Sequence, residues 1–158
     1  MNRIILMRHA KSSWASAAQT DHERPLNDRG RRDAPKMAAE LDALGWAPDL
    51  VISSDAERTR ETWGRMSAQF PDAKVIFSRS LYHAGPEAIY DAVNEHAEPD
   101  QTVLLLGHNP GWEYAVGVMS GARETMTTAN CALLQRDAPW DAPFARDFEL
   151  VAMLRPRD

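Results

Sequence analysis

The feature that most restricts the fold is a regular alternation of short apolar runs with helix-length amphipathic stretches. Runs at 3–7, 50–53, 74–77, 102–106, 132–135 and 148–154 have the length and apolar content of strands. Between them, 28–44, 55–69, 86–96 and 110–119 repeat apolar residues at helical spacing and open on helix-start residues. Strands joined through helices return parallel within one sheet. The pattern therefore predicts an α/β fold in three layers, with a mostly parallel, mixed sheet and helices on both faces; the six runs are its strands. No helix-length stretch separates 132–135 from 148–154, so that edge is expected to be the antiparallel part. At 158 residues, without repeats or linkers, the chain reads as a single domain, 1–158, with 139–143 as an internal loop.

In open α/β sheets ligands collect beyond the carboxyl ends of the strands. Three such exits read "MRHAKSS", "ISSDAERTRET" and "LLLGHNPGW", and they bring Arg8, His9, Arg58 and His108 to one edge. Helix starts account for some neighbours. Ser54 with Glu57 matches a capping box, and Asn109 followed by Pro110 matches an N-cap and first helical residue. Capping does not call for cations and imidazoles at three exits of a chain with only five His. A phosphoryl group does. Arginine forks bind its oxygens in pairs and stabilise charge during transfer. Helix N-termini add positive potential. Beside these cations His9 is expected to stay neutral, with a nitrogen able to attack phosphorus, and His108 to donate to a phosphate oxygen.

Composition narrows the partners. A formal net charge of −5 disfavours a nucleic-acid or anionic-membrane surface, while leaving room for a local basic site. The apolar run after Arg3 stops at Met7, short of a signal-peptide core, and no stretch approaches the roughly 18 apolar residues of a membrane span. Cys131 is the only cysteine, which suits a reducing compartment. A cytoplasmic location is expected.

"RHAKSSW" resembles the RHG motif of the histidine phosphatase superfamily, with Ala10 in place of the usual Gly. "SSDAERTRET" is similar to its second motif, and "GHNPG" to its third. With "DHERPLNDRGRRDA", the pairing of RHA with GHNPG and the short chain, the resemblance is greatest to the SixA-type phosphohistidine phosphatases, over about the first 120 residues. It implies Arg8, His9, Arg58 and His108 as catalytic residues, with Ser12 joining Arg8, Arg58 and His108 in substrate binding. It also implies phosphoryl transfer to His9, hydrolysis of that intermediate, and no metal or other cofactor. The implied partner is a phosphorylated protein such as a histidine phosphotransfer domain.

Departures from the superfamily bear on substrate. Mutases and sugar phosphatases typically have Asn soon after the motif's Trp, whereas Trp14 is followed by Ala15. They also carry an acid Glu between the second and third motifs, where the nearest candidates in "SRSLYHAGPEAIY" are His83 and Glu87. An alkoxide leaving group benefits from such an acid, and an imidazole needs it less. The alternatives are a phosphoester phosphatase acting on small metabolites or phosphoserine, and a phospho-ligand binding module without turnover. Asp21, His22 and Glu23 are not expected to form a metal site, because adjacent residues do not face one point. Arg29, Arg31 and Arg32 read as a solvated helix face, Trp14 as packing at the site mouth, and Gly30 as a point of close helix approach to the first motif.

Overall fold

The structure, a computed structural model, describes residues 1–14 and 20–156. Ala15, which bears on the comparison with mutases, lies outside them. Among the described residues six strands form one sheet: β1 (Asn2–Arg8), β2 (Leu50–Ser54), β3 (Lys74–Ser78), β4 (Thr102–Gly107), β5 (Cys131–Arg136) and β6 (Glu149–Leu154). Their order is β3-β2-β4-β1-β5-β6. The first four run parallel, while β5 is antiparallel to both β1 and β6. The expected antiparallel edge is present and extends inward to the β1–β5 pair.

Among the described residues four α-helices cover the sheet: α1 (Asp28–Ala43), α2 (Glu57–Gly64), α3 (Pro86–His96) and α4 (Gly111–Ser120). Successive strand residues point to opposite faces. Accordingly Ile4 and Leu6 join Ile89, Val93 and Trp112 of α3 and α4, whereas Ile5 and Met7 join Met37, Leu41 and Trp63 of α1 and α2. In β4, Val103 and Leu105 face the first group and Leu104 and Leu106 the second. Burial on both faces is why the central strands are continuously apolar rather than alternating.

This layering positions the site. Adjacent parallel strands β1 and β4 hand over to helices on opposite faces, which opens a crevice at their carboxyl ends. His9 and His108 are the first residues past those strands, and the His9 N–H donates to the Gly107 carbonyl at 3.1 Å. Two glycines allow the close packing around them. A Cβ on Gly107 would lie 2.4 Å from the Trp112 ring, and one on Gly30 would lie 2.2 Å from the Lys11 carbonyl oxygen. The second contact is the approach of α1 to the first motif expected from Gly30.

Helix boundaries differ from expectation in three places. The stretch 55–69 is not one helix: α2 ends at Gly64, a poor helix former, and Ser67–Gln69 forms a separate 3-10 turn. The Ser54–Glu57 capping box does not form, because Ser54 still belongs to β2 and the N-cap of α2 is Ala56, without a side-chain cap. At α4 the N-cap is Pro110 and Gly111 is the first helical residue. Asn109 nevertheless accepts a hydrogen bond from the Glu113 N–H through Oδ1, at 3.3 Å.

Candidate active site

The chain leaves β1 through His9, whose Nδ1 lies 2.7 Å from the Ala10 carbonyl oxygen. A carbonyl only accepts, so Nδ1 carries the proton and Nε2 keeps its lone pair. Arg58, in the first turn of α2, donates from Nε to that Nε2 at 3.3 Å. The His9 and His108 rings stand 5.3 Å apart between centroids. All three side chains are deeply buried: His9 and Arg58 are 5% exposed and His108 is 7% exposed. The structure therefore brings three of the four expected catalytic residues into direct contact or near contact. Arg8 enters from the same strand end and donates from Nη1 to the Met126 carbonyl at 3.1 Å.

Crowding sets the electrostatics. Burial, reinforced by His108, Arg58 and Arg8, holds the His9 imidazole well below its ordinary range despite the opposing Ala10 hydrogen bond. Burial together with the Arg58 charge lowers His108 to about 3. Both rings are thus neutral at pH 7, the form in which a histidine nitrogen is nucleophilic. Burial also lowers Arg8, against the pull of Glu113.

Among the described residues, three buried side-chain polar atoms have no hydrogen-bond partner, and two of them are Arg8 Nε and His108 Nδ1. Such an atom costs about 1–3 kcal/mol when left unmatched. Both atoms belong to residues at the carboxyl ends of the adjacent strands β1 and β4, where a polar ligand would satisfy them. With the guanidinium groups of Arg8 and Arg58 at these strand ends, the arrangement suits an oxyanion.

Several contributors went unrecognised in the sequence. Asp21 lies on Arg58: Nη1 donates to its carbonyl at 2.7 Å and Nη2 to its Oδ2 at 3.1 Å. Its carboxylate also accepts from Tyr82 at 2.5 Å and from Arg24 at 3.0 and 3.1 Å. Burial would raise this carboxyl, but Tyr82, Arg58 and Arg24 together hold it far below the usual range. Ser54 Oγ meets His108 Nε2 at 2.8 Å and fixes that ring. The signal for Asp21 and Arg24 was present in "DHERPLN", which carried the resemblance without an assigned role. Ser54 was absorbed by the capping pattern.

The remaining candidates divide between the site and its surroundings. The Ser12 hydroxyl, expected to touch substrate, is taken up by Arg24 Nη1 at 2.7 Å. Trp14 is 74% exposed and its ring lies under the Arg24 guanidinium at 3.5 Å. Asp21, His22 and Glu23 turn to three different partners, Arg58, Asp55 and Thr20. Arg31 does more than face solvent, since it bridges to Glu61 of α2 at 2.9 Å. His83 lies near the site: its ring packs at a tilt of 32° against Tyr82, centroids 4.0 Å apart, and it shares a cavity of about 520 Å³ with His108. Glu87 lines a different hollow with Tyr90 and Phe144. No group of three or more His, Cys, Asp or Glu among the described residues is arranged to hold a metal ion.

The sequence over residues 4–82 matches the family model of the histidine phosphatase superfamily, branch 1. The chain belongs to this superfamily. A chloroplastic protein of Arabidopsis thaliana is 43% identical over 154 residues, covering 90% of this chain and 71% of the relative. Two solved structures assigned as the phosphohistidine phosphatase SixA are similar throughout. The one from Agrobacterium tumefaciens superposes with a TM-score of 0.83 at 28% identity, over 98% of this chain and 97% of its own. The one from Nakamurella multipartitia gives 0.85 at 28% identity, over 99% and 97%. As a histidine phosphatase with a SixA-like fold, the protein is a phosphatase hydrolase. No helix among the described residues is long and apolar enough to cross a membrane.

Proposed function

We propose that the protein removes phosphate from phosphohistidine on another protein, through a covalent phosphohistidine on its own His9 and without a metal. The observation that carries this reading is the His9 ring itself. Its Nδ1 proton is committed to Ala10 and its Nε2 lone pair lies beside the Arg58 Nε–H, with Arg8 and His108 holding unmatched donors around it.

Nε2 attacks phosphorus, the bond to the leaving nitrogen breaks, and the phosphoryl charge is held by Arg8, Arg58 and His108. Water then attacks the His9 phosphoramidate and releases inorganic phosphate, returning His9 to its neutral form. A phosphohistidine substrate leaves as imidazole after ring protonation, which eases the need for a strong acid. Glu87 lines a hollow other than the His108 cavity, consistent with a leaving group that makes little demand on it. The similarity to structures of SixA type supports the same substrate class, and a cytoplasmic location and a role in signalling fit it.

One observation favours phosphoester hydrolysis as a second reading. His83 sits in the cavity that adjoins His108, where it could protonate an alkoxide. A side-by-side assay separates the two. A phosphorylated histidine phosphotransfer domain should be cleaved with kcat/KM at least about tenfold above phosphoserine or phosphoglycerate, which is roughly 1.4 kcal/mol of transition-state preference. Equal or faster turnover of the small phosphoesters removes the phosphohistidine assignment. Activity in that assay should survive EDTA.

A further inference from the structure

A hollow of about 1230 Å³ lies beside the catalytic pocket, and His9 is not among its lining residues. It runs along α4 toward the segment around Arg146, and it shares Pro110 and Tyr114 with the cavity that contains His108 and Tyr82. The two hollows therefore adjoin between His108 and Arg146. The volume of the first exceeds the roughly 300–1,000 Å³ of small-molecule sites, so it suits a length of polypeptide better than a metabolite.

The charges along these hollows are unevenly matched. Glu113 is occupied by Asn109 Nδ2 at 2.6 Å and the Met126 N–H at 2.9 Å, and Glu124 pairs with Arg155 at 3.2 Å. Arg123 and Arg146 are exposed, and no hydrogen bond or ion pair to a described residue is found for either. Between them the wall is apolar, with Val118, Ala122 and Phe144, and Tyr114 stands 67% exposed where the two cavities meet. The lining thus combines two cations unpaired among the described residues with apolar contact area, on a protein whose net charge is −5. Cations left without an ion-pair partner on such a wall select partners by charge.

From this we infer that the α4 groove docks an acidic, partly apolar segment of the phosphorylated protein substrate, with Arg123 and Arg146 pairing its carboxylates while the phosphorylated side chain reaches His9. The inference rests on the proposed reading that the substrate is a protein. It assigns the groove a role in substrate selection, separate from the chemistry.

Binding tests it without turnover. A short fluorescent peptide alternating Glu and Leu, and its counterpart with Lys for Glu, are titrated against the full chain by anisotropy. The acidic peptide should bind and the basic one should not, and binding should weaken steadily with added salt. R123E/R146E should reduce the acidic peptide's affinity by about tenfold or more, and R123A/R146A by less. Circular dichroism of each variant verifies the fold. No binding of the acidic peptide, equal binding of both peptides, or an affinity unchanged in R123E/R146E overturns the docking role. A protein that binds the acidic peptide in this manner but hydrolyses no phosphohistidine loses the catalytic reading and keeps the groove as an acidic-segment site. One that hydrolyses phosphohistidine proteins but fails the peptide test loses only the groove.

Discussion

Arg58 Nε and His9 Nε2 are hydrogen-bonded across 3.3 Å, although the residues come from different strand exits 49 positions apart. The guanidinium therefore lies next to the nitrogen proposed to attack phosphorus, where charge develops during transfer. Arg58→Lys keeps a positive charge but loses Nε and the fork geometry. Steady-state kinetics should show kcat lowered by more than about tenfold. An unchanged rate would confine Arg58 to holding Asp21.

A nucleophilic His9 requires a covalent intermediate. Brief exposure to a labelled phosphoryl donor, with rapid quench, should leave label on the protein that is lost in acid and kept in base. His9→Ala should abolish it. Label that survives in this variant assigns the nucleophile elsewhere.

The Asp21 carboxylate lies 3.1 Å from Arg58 Nη2 and so offsets part of the positive charge that would hold a phosphate dianion. Asp21→Asn preserves shape and one of the two acceptor oxygens while deleting the charge. Inorganic phosphate should then inhibit more strongly, with its inhibition constant reduced by about threefold to tenfold, on the order of 1 kcal/mol. If phosphate inhibits the variant equally or less, Asp21 serves only to orient Arg58.

Stability should depend on pH through the two buried imidazole rings. His108 is held at about 3 by burial and Arg58, against an ordinary 6.5, and burial depresses His9 in the same direction. Over this window the unfolded chain binds more protons than the folded one, so stability rises with pH. The contribution is complete above 6.5 and is lost progressively as pH falls toward about 3. Asp21, also depressed, adds the same sign only below its ordinary 3.8. Thermal unfolding should thus show Tm climbing from about pH 4 to about pH 6.5 and then levelling. His108→Gln should reduce that slope, and a slope unaltered by the substitution would detach the pH dependence from His108.

The local pattern of the chain determined the strand and helix alternation, the parallel sheet with its antiparallel edge, and the strand exits that carry Arg8, His9, Arg58 and His108. These are legible because each depends on residues a few positions apart: a continuous apolar run is a strand covered on both faces, and the residues just past its end emerge at the sheet's carboxyl edge. Element ends were less legible. The Ser54–Glu57 spacing satisfies a capping box, yet Ser54 stays in β2, where its hydroxyl reaches His108 from 54 residues away. Asp21 shows the same limit, since its partner Arg58 is 37 residues distant and its other partner Tyr82 is 61. Only the sheet order, which sets β4 between β2 and β1, decides that the three motif loops converge and that Asp21 and Ser54 stand among them. Periodicity encodes how an element buries itself, but a hydrogen bond between two loops exists only once the strands beneath them have been ordered.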